Sequence, residues 1–308
     1  MASILFIAPP DLGEAVLATG ALAHVLAEGD VLTISAGPEA AALFRAAPAV
    51  RIWLPRHASL SFALFARFRG ARYDVLIDGA ESFASRLAPA RCRVALQPAP
   101  ILRHRAEDWA EAVGADRPLA PKLWIDEQAR VAAASAAPGS EPLLVLAPAG
   151  ANRDKIWPAE RFAAVARRLA SGPLAGARIV FVGAGVRDAE IARAIAQSLD
   201  ADGVPALDLT GTLDLLAAAA LLERATLCIG NDNALTHIAA AVGAPTLTLF
   251  GPTDERVRAP YGPRARSLRG RSLEEALAPG GASSLMEDLS VDAVEAAALD
   301  LLHAGGLR

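Results

Sequence analysis

The sequence predicts an α/β protein made of two parallel-sheet units of similar size. Three observations carry that expectation. The chain has 308 residues, about twice the ~150 of a typical domain. Short apolar runs alternate with longer helical patterns from end to end, which is the rhythm of βαβ crossovers. That rhythm lapses once, over residues 120–142, and then restarts.

In the first half, residues 4–8 read as a strand, 14–28 as a helix and 31–35 as a strand. Residues 38–47 look helical, 50–54 extended, 59–69 helical, 74–78 extended and 93–96 extended, and a helix runs through 108–114. The lapse holds Pro121, Pro138, Gly139, Ser140 and Pro142, so a linker is placed near 138–142. The domains expected are therefore 1–140 and 141–308. In the second, strands are expected at 143–147, 178–182, 206–209, 227–230 and 246–250. Helices are expected at 158–170, 189–199, 214–224 and 234–242. A last amphipathic helix spans about 291–303, with Asp292 near its start, and it could pack back on the first domain.

Composition excludes several classes. The net charge is −4, too mild for a nucleic-acid binder driven by overall charge. Of 308 residues 72 are alanine, so the 53% hydrophobic content overstates how greasy the chain is. Two cysteines, Cys92 and Cys228, lie far apart without metal-ligand spacing and suit a reduced, cytoplasmic protein. The longest uncharged stretch, 233–253, contains His237, Pro245 and Gly251 and reads as helix, turn and strand rather than a membrane span. The apolar start has no basic leader, and Asp11 follows at once, which favours a first strand over a signal peptide.

Charge is unevenly spread. Between Arg45 and Arg105 eleven arginines face three acids, a local net of +8. This is either a set of solvated helix faces or a basic face for an anionic acceptor or membrane surface. Six more arginines lie between Arg256 and Arg271 with no acid among them, in a Pro/Gly-containing loop; they flank a phosphate site or are simply exposed. Only two of the 30 basic residues are lysines, Lys122 and Lys155.

Ligands of parallel α/β sheets bind beyond the carboxyl ends of the strands, and the cleft between two such units is the default site. The first loop, Pro9-Pro10-Asp11-Leu12-Gly13-Glu14, has one glycine where a dinucleotide fingerprint needs three, which argues against NAD in this half. Glu14 in the first turn of a helix either complements the helix dipole or serves chemistry. After residues 143–147 comes a small-residue loop with Gly150, then Lys155 just before the proline-started helix, where an ammonium can neutralise a phosphate. Gly183-Ala184-Gly185 is a turn, and Asp188 beyond it suits ribose hydroxyls or a helix cap. The most informative stretch is Asn231-Asp232-Asn233-Ala234-Leu235-Thr236-His237, where amides at a helix start form an anion site suited to a diphosphate. No Cys/His cluster has metal spacing. No nucleophile elbow or P-loop occurs.

Together these stretches resemble the family-9 glycosyltransferases, the bacterial heptosyltransferases of lipopolysaccharide core assembly. The family pattern stands here as Gly13-Glu14, Lys155-Ile156-Trp157-Pro158, Asp232-Asn233-Ala234-Leu235-Thr236-His237 and Phe250-Gly251-Pro252-Thr253-Asp254, with Thr210-Gly211-Thr212 between. The resemblance is stronger in the second half. It implies a GT-B fold, with acceptor and base in the first Rossmann-like domain and the nucleotide-sugar donor in the second. It implies an inverting, metal-independent enzyme without a resident cofactor. The implied donor is ADP-L-glycero-D-manno-heptose. The implied acceptor is an anionic lipid A–Kdo core at the cytoplasmic face of the inner membrane, with peripheral membrane contact.

Carried over by position, Glu14 is the base, in an acceptor loop with Asp11 and Gly13. Lys155, Gly150, Asn233, Ala234 and Thr236 surround the donor. Asp232 and His237 reach its sugar or phosphates, Asp188 its ribose and Leu213 its adenine. Glu14 replaces the usual Asp, and Asn233-Ala234 the usual Ser/Thr-Gly. The alternatives are a non-catalytic or diverged sugar-nucleotide-binding protein and a nucleotide-sugar epimerase.

Overall fold

The computed structural model describes residues 1–55, 64, 72–80, 83–96, 102–277 and 285–304. The helix expected over 59–69 falls outside them, save Leu64. The chain divides into two compact units, Met1–Asp126 and Glu127–Arg308.

The first unit carries a five-stranded parallel sheet in the order β3-β2-β1-β4-β5. Its strands are β1 (Ser3–Ile7), β2 (Val31–Ala36), β3 (Val50–Pro55), β4 (Tyr73–Asp78) and β5 (Ala90–Ala95). The helices are α1 (Leu12–Val25), α2 (Pro38–Ala41), α3 (Phe83–Leu87) and α4 (Arg105–Ala112). The expected helix over 38–47 is split: α2 gives way to a 3-10 turn, Ala42–Phe44. β1 is buried almost throughout because helices cover both faces of a parallel sheet, so it reads as an unbroken apolar run.

The second unit has a six-stranded parallel sheet, β11-β10-β9-β6-β7-β8. Its members are β6 (Leu143–Ala147), β7 (Arg178–Phe181), β8 (Ala206–Asp208), β9 (Leu227–Asn231), β10 (Thr246–Leu249) and β11 (Ala265–Leu268). Around it lie α5 (Glu127–Ala136), α6 (Ala159–Ser171), α7 (Gly185–Asp200), α8 (Leu215–Glu223), α9 (Ala234–Ala241), α10 (Glu255–Arg258), α11 (Leu273–Leu277) and α12 (Val291–Ala304). Trp157, Phe162 and Phe181 are fully buried in its core, each contributing roughly 1.5–3 kcal/mol of apolar burial. The Trp157 and Phe162 rings meet edge to face, 5.0 Å apart.

Two boundary expectations are corrected. The division falls after Asp126, not near 140. The segment before it is tied to the first unit: Lys122 N donates to Thr19 Oγ1 on α1, and Arg45 pairs with Asp126 at 2.9 Å. The alanine-rich segment that follows is α5, whose buried Ala129 and Ala133 face α8, with Arg130 paired to Glu223. The Pro/Gly stretch at 138–142 is a turn inside the second unit, because Arg224 donates to the carbonyl of Gly139 at 3.1 Å. The last helix, α12, spends its apolar face on α6, β9, β10 and β11 of its own unit, with Val294, Ala298, Leu301 and Leu302 in that core.

In both sheets the strand order reverses once, between β1 and β4 and between β6 and β9. Such switch points open a crevice at the carboxyl ends of the flanking strands. The loops that carry Glu14, Lys155 and Asp232 lie at these two places.

Candidate active site

At the first unit's switch point the chain leaves β1 through Pro9 and Pro10 into α1. Asp11 is the N-cap, its carboxylate accepting from Glu14 N at 2.9 Å. Gly13 is buried, and Glu14 completes the first turn. The neighbouring strand closes in, since Gly79 N donates to the Ile7 carbonyl at 2.8 Å. A Cβ on Gly79 would stand 2.6 Å from Pro9 Cδ, so only glycine fits there.

Glu14 is only 13% exposed and has a partner that sequence reading missed. Arg105 Nε, from the start of α4, lies 3.6 Å from Glu14 Oε2. Arg105 also reaches Asp108 at 3.3 Å, and Asp108 is held in turn by Arg103.

At the second unit's switch point four polar residues link the loop after β6 to the turn after β9. Asn231, fully buried at the end of β9, accepts from Trp157 N at 3.2 Å and donates to the Pro148 carbonyl. Asp232, next along, receives Lys155 Nζ at 2.7 Å. Asn233 caps α9, its Oδ1 accepting from Leu235 N and Thr236 N at 2.9 and 3.2 Å. Its Nδ2 donates to the Ala147 and Ala149 carbonyls at 2.9 and 2.8 Å. The cap thus uses two of the four orphan amides of the helix start, and those of Asn233 and Ala234 precede the capped pair.

The remaining candidates sort by burial. Thr236 is fully buried and donates its hydroxyl to the carbonyls of Asn233 and Asn231, so it shapes the loop. His237 is buried one turn into α9. Gly150 lies where a Cβ would stand 3.2 Å from Lys155 Cβ and 3.3 Å from its carbonyl, which keeps Lys155 close to the loop. Asp188 turns back to accept from Ala184 N at 2.7 Å, the capping alternative, with its second oxygen not used in that bond. Leu213 is half-buried just before α8. Trp157, which the sequence shows only as part of the Lys155-Ile156-Trp157-Pro158 pattern and without a role of its own, anchors the Lys155 segment: its Nε1 donates to the Leu289 carbonyl at 2.8 Å.

The arginine clusters are largely paired. Arg256 bonds Asp254 and Glu274, Arg266 pairs with Asp300, Arg269 with Glu255 and Arg271 with Asp288. The Arg256 guanidinium holds the Asp254 carboxyl below the usual carboxylate range. In the first unit Arg45, Arg91, Arg103 and Arg105 have acidic partners, while Arg51, Arg72 and Arg86 are exposed. Among the described residues no three His, Cys, Asp or Glu side chains gather as a metal-ligand set, and no helix is long and apolar enough to cross a membrane.

A family model described as glycosyltransferase family 9 (heptosyltransferase) matches residues 54–278, well over half of the chain. The chain belongs to glycosyltransferase family 9. A family-9 glycosyl transferase from Veillonella parvula shares its fold with a TM-score of 0.78 at 22% identity, over 98% of this chain and 97% of that one. E. coli ADP-heptose LPS heptosyltransferase II gives 0.77 at 18% identity, over 99% of each. Both are GT-B structures of the kind the sequence predicts, two α/β units with parallel sheets. A lipooligosaccharide heptosyltransferase 2 from Haemophilus influenzae is 29% identical over 133 residues, which is 42% of this chain. The match spans 37% of that relative's length. The family match begins after the Glu14 loop, whereas Lys155, Asp232 and His237 of this glycosyltransferase fall inside it.

Proposed function

We propose that the protein transfers a heptose, or a related sugar, from an ADP-sugar to a hydroxyl of an anionic lipopolysaccharide core-type acceptor. The observation that carries the reading is the Lys155–Asp232 pair beside the start of α9, at the sheet's switch point, in a family-9 chain. The names of the E. coli and Haemophilus influenzae proteins support the choice of donor and acceptor.

In this reading the second unit holds the donor and the first supplies the base. Glu14 takes the proton of the acceptor hydroxyl. The acceptor oxygen bonds to the anomeric carbon from the face opposite the diphosphate, the carbon–oxygen bond to the diphosphate breaks, and ADP leaves with the electron pair. The anomeric centre is inverted. Lys155 and the amides of Asn233 and Ala234 meet the charge that builds on the leaving group, in place of a metal. Asp232 and His237 orient the sugar or phosphates, the second oxygen of Asp188 the ribose, and Leu213 packs on the adenine. Asp11 and Gly13 shape the acceptor loop. The enzyme works at the cytoplasmic face of the inner membrane, where its glycolipid substrate lies.

Turnover of ADP-heptose with a lipid A–Kdo acceptor tests this. Glu14→Gln is expected to lose about a hundredfold or more of kcat. ADP should still raise its melting temperature. Transfer at the wild-type rate by that variant removes Glu14 as the base, and absence of sugar transfer by the wild type removes the reading itself.

A further inference from the structure

Arg105 stands at a place that local helix energetics disfavours. It is the first residue of α4, where the positive end of the helix dipole repels a cation. Two acids offset that cost. Glu14, from the first turn of α1, lies 3.6 Å from Nε, and Asp108, one turn further along α4, lies 3.3 Å from Nη1. Asp108 is only 6% exposed and is gripped a second time by Arg103, which also reaches Glu111. Such a buried carboxylate is retained in place by its partners, because leaving it alone would be costly. The guanidinium is thereby held through Nη1 by Asp108 while its Nε meets Glu14.

We propose that Arg105 is a positioning residue for the base: with Asp108 as its anchor, it fixes the carboxylate of Glu14 for proton transfer. This rests on Glu14 being the base. Glutamate has one more rotatable bond than aspartate, so its carboxylate sweeps a larger volume and gains more from a fixed cation. The arrangement also survives the reaction. When Glu14 takes up a proton and becomes neutral, Arg105 keeps the charge of Asp108 and is not left as an unpaired cation. A single Arg–Glu pair lacks that property.

The test compares Glu14→Gln, Arg105→Met and Arg105→Lys in the full-length enzyme, reading kcat, donor KM, ADP binding and melting temperature. Arg105→Met is expected to lower kcat by about tenfold to a hundredfold, with donor KM and ADP affinity within about twofold. Arg105→Lys restores the charge without the forked geometry and is expected to recover only part of the loss. Unchanged kcat in Arg105→Met beside an inactive Glu14→Gln overturns this inference alone. Full transfer by Glu14→Gln overturns the base assignment and the inference together. A parallel fall of kcat, ADP affinity and melting temperature in Arg105→Met marks a merely structural pair and also overturns it. Should that variant fail to fold, Arg105→Lys decides: reduced kcat at unchanged donor KM supports the proposal, and wild-type kcat overturns it.

Discussion

Lys155 Nζ and Asp232 Oδ2 stand 2.7 Å apart at the carboxyl end of β9, with both side chains largely shielded from water. The carboxylate satisfies the ammonium. In the proposed reading, an incoming diphosphate would compete with Asp232 for the same cation and meet a carboxylate of its own sign beside it. The two residues would then act on nucleotide binding in opposite directions. Lys155→Met is expected to weaken ADP binding by about tenfold or more, the scale of a lost hydrogen bond to a charged group. Asp232→Asn is expected to bind ADP as well as wild type or better, because the repulsion is gone, and yet to transfer sugar more slowly. Calorimetric titration with ADP reads both. Wild-type affinity in Lys155→Met would remove the ammonium from the phosphate site.

Asn233 bridges two elements with one side chain, capping α9 through Oδ1 and fastening the Ala147 and Ala149 carbonyls through Nδ2. Serine can supply the cap but cannot span to both carbonyls. Asn233→Ser is therefore expected to cost about 1–3 kcal/mol of unfolding free energy, two ordinary hydrogen bonds, and to loosen the loop that carries Gly150. Asn233→Asp keeps the acceptor but turns a carboxylate toward two carbonyl oxygens, so it should lose more. Urea unfolding ranks the three proteins. If serine matches asparagine, the bridge contributes nothing measurable.

The parallel sheets were legible because β1, β6 and β9 are unbroken apolar runs followed by turn chemistry, a pattern that burial on both faces imposes. β11 was not, since Ala265–Leu268 places an arginine among its apolar positions and sits in a Pro/Gly-rich stretch, as an exposed edge strand can. The donor loop was readable from Asp232-Asn233 onward. Asn231 belongs to the same stretch, but no role of its own is legible there, since its bonds to Trp157 N and the Pro148 carbonyl join loops far apart in the chain. Arg105 had no local signal: its meeting with Glu14 is made by packing α1 against α4, two helices far apart in the chain. Residue 140 was mistaken for a boundary because proline and glycine mark any turn, whereas only the burial of Ala129 and Ala133 against α8 assigns α5 to its unit.

Gly230 lets β9 and the start of α9 pack at the switch point. A Cβ there would stand 2.7 Å from both the Ala147 carbonyl oxygen and Thr236 Cγ2, and the first of these is rigid backbone. The sheet cannot widen locally, because β9 pairs with β6 on one side and β10 on the other. Gly230→Ala is expected to destabilise by about 1–3 kcal/mol through overpacking and to weaken ADP binding through displacement of the adjoining loop. Thermal melting with and without ADP measures both, and an unchanged melting temperature would show that the loop yields freely.

Asp30 ties the start of the first sheet to the turn before β2. Its carboxylate accepts from Ala2 N at 2.7 Å and Ala27 N at 3.0 Å, and the Ala2 amide, then that of Ala27, hold its pKa below the usual value of 3.8. A folded-state pKa depressed below the unfolded one gives stability that is fully present above the unfolded pKa. That stability is lost as pH falls through the folded pKa. Wild type should therefore be more stable than Asp30→Asn at neutral pH, since the variant offers one acceptor oxygen where the carboxylate uses both and loses the charge that strengthens both bonds. The gap between the two melting curves should hold down to about pH 5 and narrow below the 3.8 reference. Melting both proteins across an acid pH series gives the answer, and a gap that stays constant below pH 3 would mean that the carboxylate charge plays no part.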